Sequence, residues 1–102
     1  MKRKVNKYAE LSEPQAVLDF HGRGILLEEE ICELARRFVG ECRAKGLTRI
    51  LFIVGKGLHS KQGPVIGPLL RRFLSTVAGV ESVVTARRDR GGEGALEVQL
   101  LR

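Results

Sequence analysis

The chain has 102 residues, of which 43% are hydrophobic, and it carries a formal net charge of +6 with a pI near 9.9. A chain of this length forms one domain that buries roughly 60–70% of the surface its unfolded form exposes, so it can build a core without disulfides or metals. No apolar run approaches the ~20 residues of a membrane helix, and no apolar signal core follows the basic residues at the start, so we expect a cytoplasmic protein.

The first 15 residues are predicted to form a basic N-terminal arm, followed by a single domain at 16–102. The arm is polar and ends at the break Ser12-Glu13-Pro14. A short apolar run then predicts a first strand at 17–20.

The end of this strand holds the most informative stretch of the chain, Leu18-Asp19-Phe20-His21-Gly22. Because side chains alternate along a strand, Leu18 and Phe20 point to one face while Asp19 and His21 stand together on the other. A carboxylate beside an imidazole can position a water, a proton or a metal near an anionic substrate. The simpler alternative is that Asp19 caps a turn and His21 packs against a neighbour.

A helix is predicted from Leu27, because apolar residues recur there at spacings of three or four. Acidic first turns and a basic last turn complement the helix dipole, and Gly46 suits the position that ends a helix. Cys32 and Cys42 fall ten positions apart in this helix, so at ~1.5 Å per residue their backbones are roughly 15 Å apart. We therefore expect buried thiols, neither a disulfide nor a zinc site.

The next element is a continuous β-branched and aromatic run at 50–54, which predicts a central strand in parallel pairing. Gly55-Lys56-Gly57 ends it: the glycines let backbone N–H groups approach an anion, and Lys56 supplies charge. The spacing matches neither a Walker A motif nor the dinucleotide fingerprint, and a tight turn is the simpler explanation. The loop continues with further donors: His59, Ser60 and Lys61.

A second amphipathic helix, from Ile66 to Val77, and two strands at 81–86 and 95–101 complete the predicted order βαβαββ. This order predicts an α/β fold, a two-layer sandwich of a mixed four-stranded sheet and two helices. Right-handed crossovers would place both helices on the same face of the sheet. Ligands of such sheets bind at the carboxyl ends of parallel strands, where both motifs fall.

The basic residues are grouped along the chain, and a pI above about 9 with clustered Lys and Arg is typical of a polyanion binder. Solubility alone is the simpler explanation of such charge. One Tyr, four Phe and no Trp argue against a surface that stacks bases. The groups are Lys2, Arg3, Lys4 and Lys7; Lys56 and Lys61; Arg71 and Arg72; and Arg87, Arg88 and Arg90.

Three motifs in order resemble the Smr (small MutS-related) domain family in a stand-alone small form. Leu18-Asp19-Phe20-His21 matches the Leu-Asp-x-His motif that the family carries on its first strand. Val54-Gly55-Lys56-Gly57 matches the family's His-Gly-x-Gly motif except at the first position. The stretch Gly91-Gly92-Glu93-Gly94-Ala95-Leu96 looks like its glycine-rich final hairpin. The resemblance covers about residues 16–102.

The resemblance implies a sandwich similar to the C-terminal domain of translation initiation factor three, and binding to DNA or RNA. Endonuclease activity is described for several members. By position, Asp19 and His21 would be the acid–base or metal-coordinating pair, with Gly55, Lys56 and Gly57 as the phosphate-contacting loop. Metal use is open: Asp19 is one hard ligand, so Mg²⁺ or another divalent cation is the cofactor to test.

Val54 departs from the family pattern, because valine can neither shuttle a proton nor ligate a metal. Two hypotheses follow. The first is a nuclease in which Asp19, His21 and Lys56 are catalytic. The second, which the valine favours, is a non-catalytic module that binds branched DNA or ribosomal RNA. A pocket for a small anion or nucleotide is a third, and we expect a monomer. The predicted nucleic-acid contacts are Gly55, Lys56, Gly57, His59, Ser60, Lys61, Arg87, Arg88 and Arg90.

Overall fold

The computed structural model of the chain describes residues 13–20, 23, 26–55, 66–88 and 92–101. It contains the predicted βαβαββ order, with a 3₁₀ turn before the last strand. The first three strands each begin and end one residue earlier than the sequence pattern predicts. The elements are β1 (Ala16–Asp19), α1 (Glu28–Ala44), β2 (Arg49–Ile53), α2 (Ile66–Leu74), β3 (Val80–Thr85) and β4 (Ala95–Leu100).

The four strands form one mixed sheet in the order β1-β2-β4-β3. β1 pairs with β2 in parallel, and β4 runs antiparallel to both of its neighbours. Consequently β1, β2 and β3 point the same way, and their carboxyl ends meet the beginning of β4. We call this border the carboxyl edge; it comprises residues 19–20, 53–55, 86–87 and 94–95.

Both helices cover the same face of the sheet, which confirms the predicted two-layer sandwich. The central side chain of this core is Phe52, whose ring stacks on Phe20 with centroids 6.4 Å apart and meets Phe38 edge-on at 5.5 Å. On the other face of the sheet, the described residues form a small buried cluster of Leu51, Ala86 and Ala95. The main core also includes Ile31 and Val39 of α1, Leu70 and Leu74 of α2, and Ile50, Val98 and Leu100 of the sheet.

Both ends of α1 are closed by hydrogen bonds. At the start, the Glu30 carboxylate accepts from the N–H of Leu27 at 2.7 Å. At the end, the N–H of Leu47 donates to the carbonyl of Cys42 and that of Gly46 to Arg43, both at 2.9 Å. This pair of bonds, with Gly46 at a φ of +79°, is a Schellman motif, as the predicted role of Gly46 requires.

The second helix ends earlier than its apolar pattern predicts. The pattern extends to Val77, but the helix stops at Leu74. The hydroxyls of Ser75 and Thr76 donate to the carbonyls of Arg72 and Phe73 at 2.8 and 2.7 Å, which replaces helical bonding with local side-chain bonding. Val77 nevertheless packs against the core from the turn that follows.

The two cysteines are free, Cys42 being buried and Cys32 half-buried. Burial raises the pKa of both thiols, so neither is an activated nucleophile. Within the described residues, neither helix is long and apolar enough to cross a membrane.

Candidate nucleic-acid interface

Asp19 lies at the end of β1 on the sheet face away from the helices. Its neighbour Phe20 is 2% exposed and, with Leu18, packs into the main core, whereas Asp19 is exposed. Across the strand pair, Asp19 is in register with Ile53. The predicted alternation is therefore confirmed for these residues, while His21 lies outside the described residues.

Backbone hydrogen bonds hold the four strand ends of the carboxyl edge in a row. The N–H of Phe20 donates to the carbonyl of Ile53 at 2.8 Å, which joins β1 to β2. On the far side, the N–H of Ala86 donates to the carbonyl of Ala95 at 3.0 Å, which joins the end of β3 to β4. Since neighbouring strands are about 4.8 Å apart, the ends of β1 and β3 are separated by about 14 Å.

Gly55 turns the chain away from β2 and brings two glycine motifs together. Its φ of +77° lies in the left-handed region, which glycine adopts without a Cβ clash. The N–H groups of Val54 and Gly55 both donate to the carbonyl of Gly94, at 2.8 and 2.9 Å. The strand-end motif thus contacts the glycine-rich hairpin directly. The other predicted residues of this loop, Lys56, Gly57, His59, Ser60 and Lys61, lie outside the described residues.

Two of the predicted phosphate-binding arginines follow β3 at the same edge. Arg87 and Arg88 are both exposed. The N–H of Arg87 donates to the Glu97 carboxylate at 2.8 Å, and its carbonyl accepts from Gly92 at 2.9 Å. These bonds fix the base of the hairpin, so the two side chains leave the protein at a defined place. Arg90 lies outside the described residues.

One cation at this edge was missed by the sequence analysis. The Nε of Arg23 donates to the carbonyl of Asp19 at 2.9 Å, and its backbone N–H donates to the carbonyl of Phe20 at 3.2 Å. These bonds hold Arg23 against the backbone at the end of β1, next in space to Asp19. Grouping of basic residues could not reveal it, because Arg23 stands alone in sequence; its position two residues after His21 was the available signal.

Val54 occupies the first position of the second motif and points into the protein. It is 8% exposed and belongs to the main core. A Cβ added to Gly67 of α2 would lie 3.4 Å from its Cγ2 atom, so the side chain faces the helical layer. This position and Asp19 therefore face opposite sides of the sheet.

The described residues offer limited means of holding a metal ion. Asp19 provides one hard oxygen ligand, of the kind that Mg²⁺ uses together with substrate phosphates. In the described part of the chain, no three His, Cys, Asp or Glu side chains come together as a ligand set.

The sheet topology and the element order define a small α/β domain, and comparison with known proteins names its family. The family model of the Smr domain matches residues 18–101, so this chain belongs to the Smr domain family. The crystal structure of the Smr domain of Thermus thermophilus MutS2 superimposes with a TM-score of 0.71 at 26% sequence identity. That match covers 85% of this chain and 99% of the other.

Two further proteins are similar to the chain. YdaL, a stand-alone small MutS-related protein from Escherichia coli, shares its fold with a TM-score of 0.75 at 24% identity, over 100% of this chain and 82% of that one. An uncharacterized protein of Treponema pallidum (strain Nichols) is 31% identical over 93 residues, which cover 87% of this chain. The chain spans 43% of the length of that curated relative.

Proposed function

We propose that this chain binds DNA or RNA at the carboxyl edge and hydrolyses a phosphodiester bond there, as a structure-selective endonuclease. The observation that carries the proposal is the convergence of three distant segments at this edge. The exposed carboxylate of Asp19, the contact between Gly55 and Gly94, and the exposed pair Arg87 and Arg88 all lie along it. Membership of the Smr family supports nucleic acid as the ligand.

The proposed roles follow from what hydrolysis needs. A water must be aligned and deprotonated, and the negative charge that develops on the phosphate must be stabilised. Asp19 would orient the water or hold His21, and His21 would accept the proton of the water as its oxygen attacks phosphorus. The bond from phosphorus to the leaving sugar oxygen then breaks, and that oxygen is reprotonated. Lys56 and the loop amides would bind the reacting phosphate.

The test is a cleavage assay with labelled branched DNA, supercoiled plasmid and structured RNA, each with Mg²⁺ and with EDTA, read on a gel. We expect product from the wild type, and a rate at least about 100-fold lower for Asp19→Asn and for His21→Ala. The first removes the charge that would position the water or His21, and the second removes the proposed proton acceptor. Glu81→Gln is the matched control: it removes the same charge from an exposed residue of β3 remote from the edge. Full cleavage by both Asp19→Asn and His21→Ala would refute the assignment.

A second candidate is a module that binds branched DNA or ribosomal RNA without cutting it. The buried Val54 favours it, because the motif position that often holds histidine here supplies no titratable group. The same gel separates the candidates: a binding module retains the labelled substrate and releases no product under either metal condition. The cytoplasmic location and the monomeric state stay predictions.

A further inference from the structure

We infer that Arg71 of α2 extends the nucleic-acid-binding surface from the carboxyl edge around the outer side of β3. The ligand would then be a strand or duplex that continues past Arg87 and Arg88 toward α2, rather than one that ends at the edge. This inference rests on the nucleic-acid binding proposed above, and it adds both a contact residue and a direction for the ligand.

The position of Arg71 is defined by its bonds to β3, which is a border strand of the sheet. Its Nη2 donates to the Thr85 hydroxyl at 2.6 Å, and its Nη1 lies 3.4 Å from the carbonyl oxygen of Val83. Thr85 is the last residue of β3, two residues before Arg87. An α2 side chain is thus held against the strand that leads into the arginine pair.

The guanidinium of Arg71 is suited to a phosphate in this position. It is exposed and has five N–H donors, of which the bonds to Thr85 and Val83 use two. A planar guanidinium binds phosphate oxygens through paired hydrogen bonds. The bond to Thr85 already restricts the Arg71 side chain in the free protein. Binding a phosphate therefore costs less conformational entropy than it would with a freely rotating arginine.

Arg72 provides an internal comparison, because it is the next residue of the same helix and is equally charged and exposed. Successive side chains of an α-helix project about 100° apart, so Arg72 leaves the helix in a different direction from Arg71, which is held against β3. Two adjacent arginines thus point their charges to different sides of the molecule.

The charges on the β3 side of the carboxyl edge give the ligand a direction. This side carries the exposed cations Arg71, Arg87 and Arg88, which attract a polyanion. The ligand would therefore run from the proposed cleavage site at Asp19 across the edge toward Arg71. With one phosphate per ~3.4 Å along a strand, the ~14 Å from β1 to β3 correspond to about four nucleotides.

The test measures binding of the full chain to fluorescent 30-nucleotide DNA and RNA duplexes at several salt concentrations. Arg71→Gln should weaken binding about three- to tenfold and reduce the log–log salt slope by about 0.7–0.9, the value for one lost phosphate contact. Arg72→Gln, with the same loss of charge, should change affinity less than about twofold. Thr85→Val keeps every charge and should lose part of the same affinity, since it removes the hydroxyl that positions Arg71.

The outcomes separate this inference from the proposed function. Equal losses for Arg71→Gln and Arg72→Gln would show an effect of overall charge and would overturn the role of Arg71. Unchanged binding by Arg71→Gln, with weak binding by Arg87→Gln, would overturn it too while the proposed interface stands. A wild-type chain that binds neither duplex overturns this inference, whereas the cleavage assay on branched DNA and structured RNA decides the proposed function. Thermal unfolding of each variant shows that the fold is retained.

Discussion

At the scale of single residues, Val54 shows how packing accommodates the change in the second motif. Its side chain faces the helical layer beside Gly67, so a polar ring there would be buried among apolar neighbours. Val54→His should therefore lower the free energy of unfolding by about 1–3 kcal/mol, the cost of burying a polar group without a partner. Urea denaturation measures this change.

A matched variant separates polarity from size at this position. Val54→Thr has nearly the shape of valine but adds a hydroxyl, so it should show most of the polar cost and no steric cost. If Val54→His proved as stable as the wild type, the imidazole would have found a polar partner. Position 54 could then hold a titratable group beside the carboxyl edge.

Glu33 gives a pH prediction at the same scale. A hydrogen bond from Arg36 lowers the pKa of the Glu33 carboxyl, with Nη2 2.6 Å from Oε2, and Arg37 contributes less from 3.5 Å. Arg36→Gln should therefore raise this pKa toward the ordinary glutamate value, and Arg37→Gln should raise it less. Carboxyl-carbon NMR titration measures both midpoints, and a larger effect of Arg37→Gln would contradict the assignment.

The sign of the linked stability follows from the direction of this shift. Because the folded pKa of Glu33 lies below the unfolded one, the stabilisation is fully present above the unfolded pKa. It is lost as the pH falls through the folded pKa. The three side chains are solvent-exposed, so the pair contributes little to the total stability.

At the scale of elements, a glycine within α1 and a glycine in the motif that ends it should respond to alanine in opposite ways. Gly40 is exposed in the middle of the helix, and an added Cβ would meet no atom within 4 Å. Gly40→Ala should therefore raise the free energy of unfolding by about 0.5–1 kcal/mol. Gly46 has a φ of +79° in the Schellman motif, so Gly46→Ala should lower that free energy by about 1–2 kcal/mol.

Urea unfolding of the two variants under identical conditions provides the comparison. Each variant adds the same methyl group to the same helix, so backbone conformation is the main difference between them. Destabilisation by Gly40→Ala would show that this face of α1 needs a small residue for a reason that the intramolecular contacts do not reveal.

Sequence periodicity predicted the elements well because the main core follows it. Leu96, Val98 and Leu100 alternate into the core as expected, and β1 and β2 pair in parallel. The early end of α2 was not predictable from apolar spacing, because it depends on how Ser75 and Thr76 satisfy local carbonyls. The prediction of helix ends therefore needs hydrogen-bond competition as well as hydrophobicity.

The candidate site was predictable where it depends on local motifs and not where it depends on tertiary contact. Asp19 and Gly55 were found from strand ends and glycine spacing. Arg23 was missed because its role comes from a bond to the carbonyl of Asp19. Arg71 was counted among the basic groups but not among the predicted contacts, because its bond to Thr85 joins residues 14 positions apart. Such pairings become visible only once the sheet is assembled.

At the scale of the whole molecule, the parallel direction of β1, β2 and β3 explains how so small a chain assembles an interface. Each strand delivers its carboxyl end to the same edge, and the antiparallel β4 returns the glycine-rich hairpin to it. Segments that lie far apart in sequence thus become neighbours through the strand order alone.

The salt dependence of binding distinguishes this localised interface from the effect of net charge alone. If phosphates bind at the carboxyl edge, log affinity for a DNA duplex should fall linearly with log salt concentration, with a slope of about −0.9 per contacted phosphate. The double substitution of Arg87 and Arg88 by Gln should make this slope less negative by about 1.8, because two contacts are lost.

A double substitution on the outer face of α1 supplies the control. Replacing Arg36 and Arg37 by Gln lowers the formal net charge by the same two units, from +6 to +4, but leaves the carboxyl edge intact. We expect nearly the wild-type slope from this variant, measured by fluorescence anisotropy between about 50 and 300 mM salt. Over this range the Debye length falls from about 13 to about 6 Å. The two double variants should differ because counterion release counts only the charges that contact phosphates. Equal changes in both would show that binding is not localised at the carboxyl edge, and the interface proposed there would be wrong.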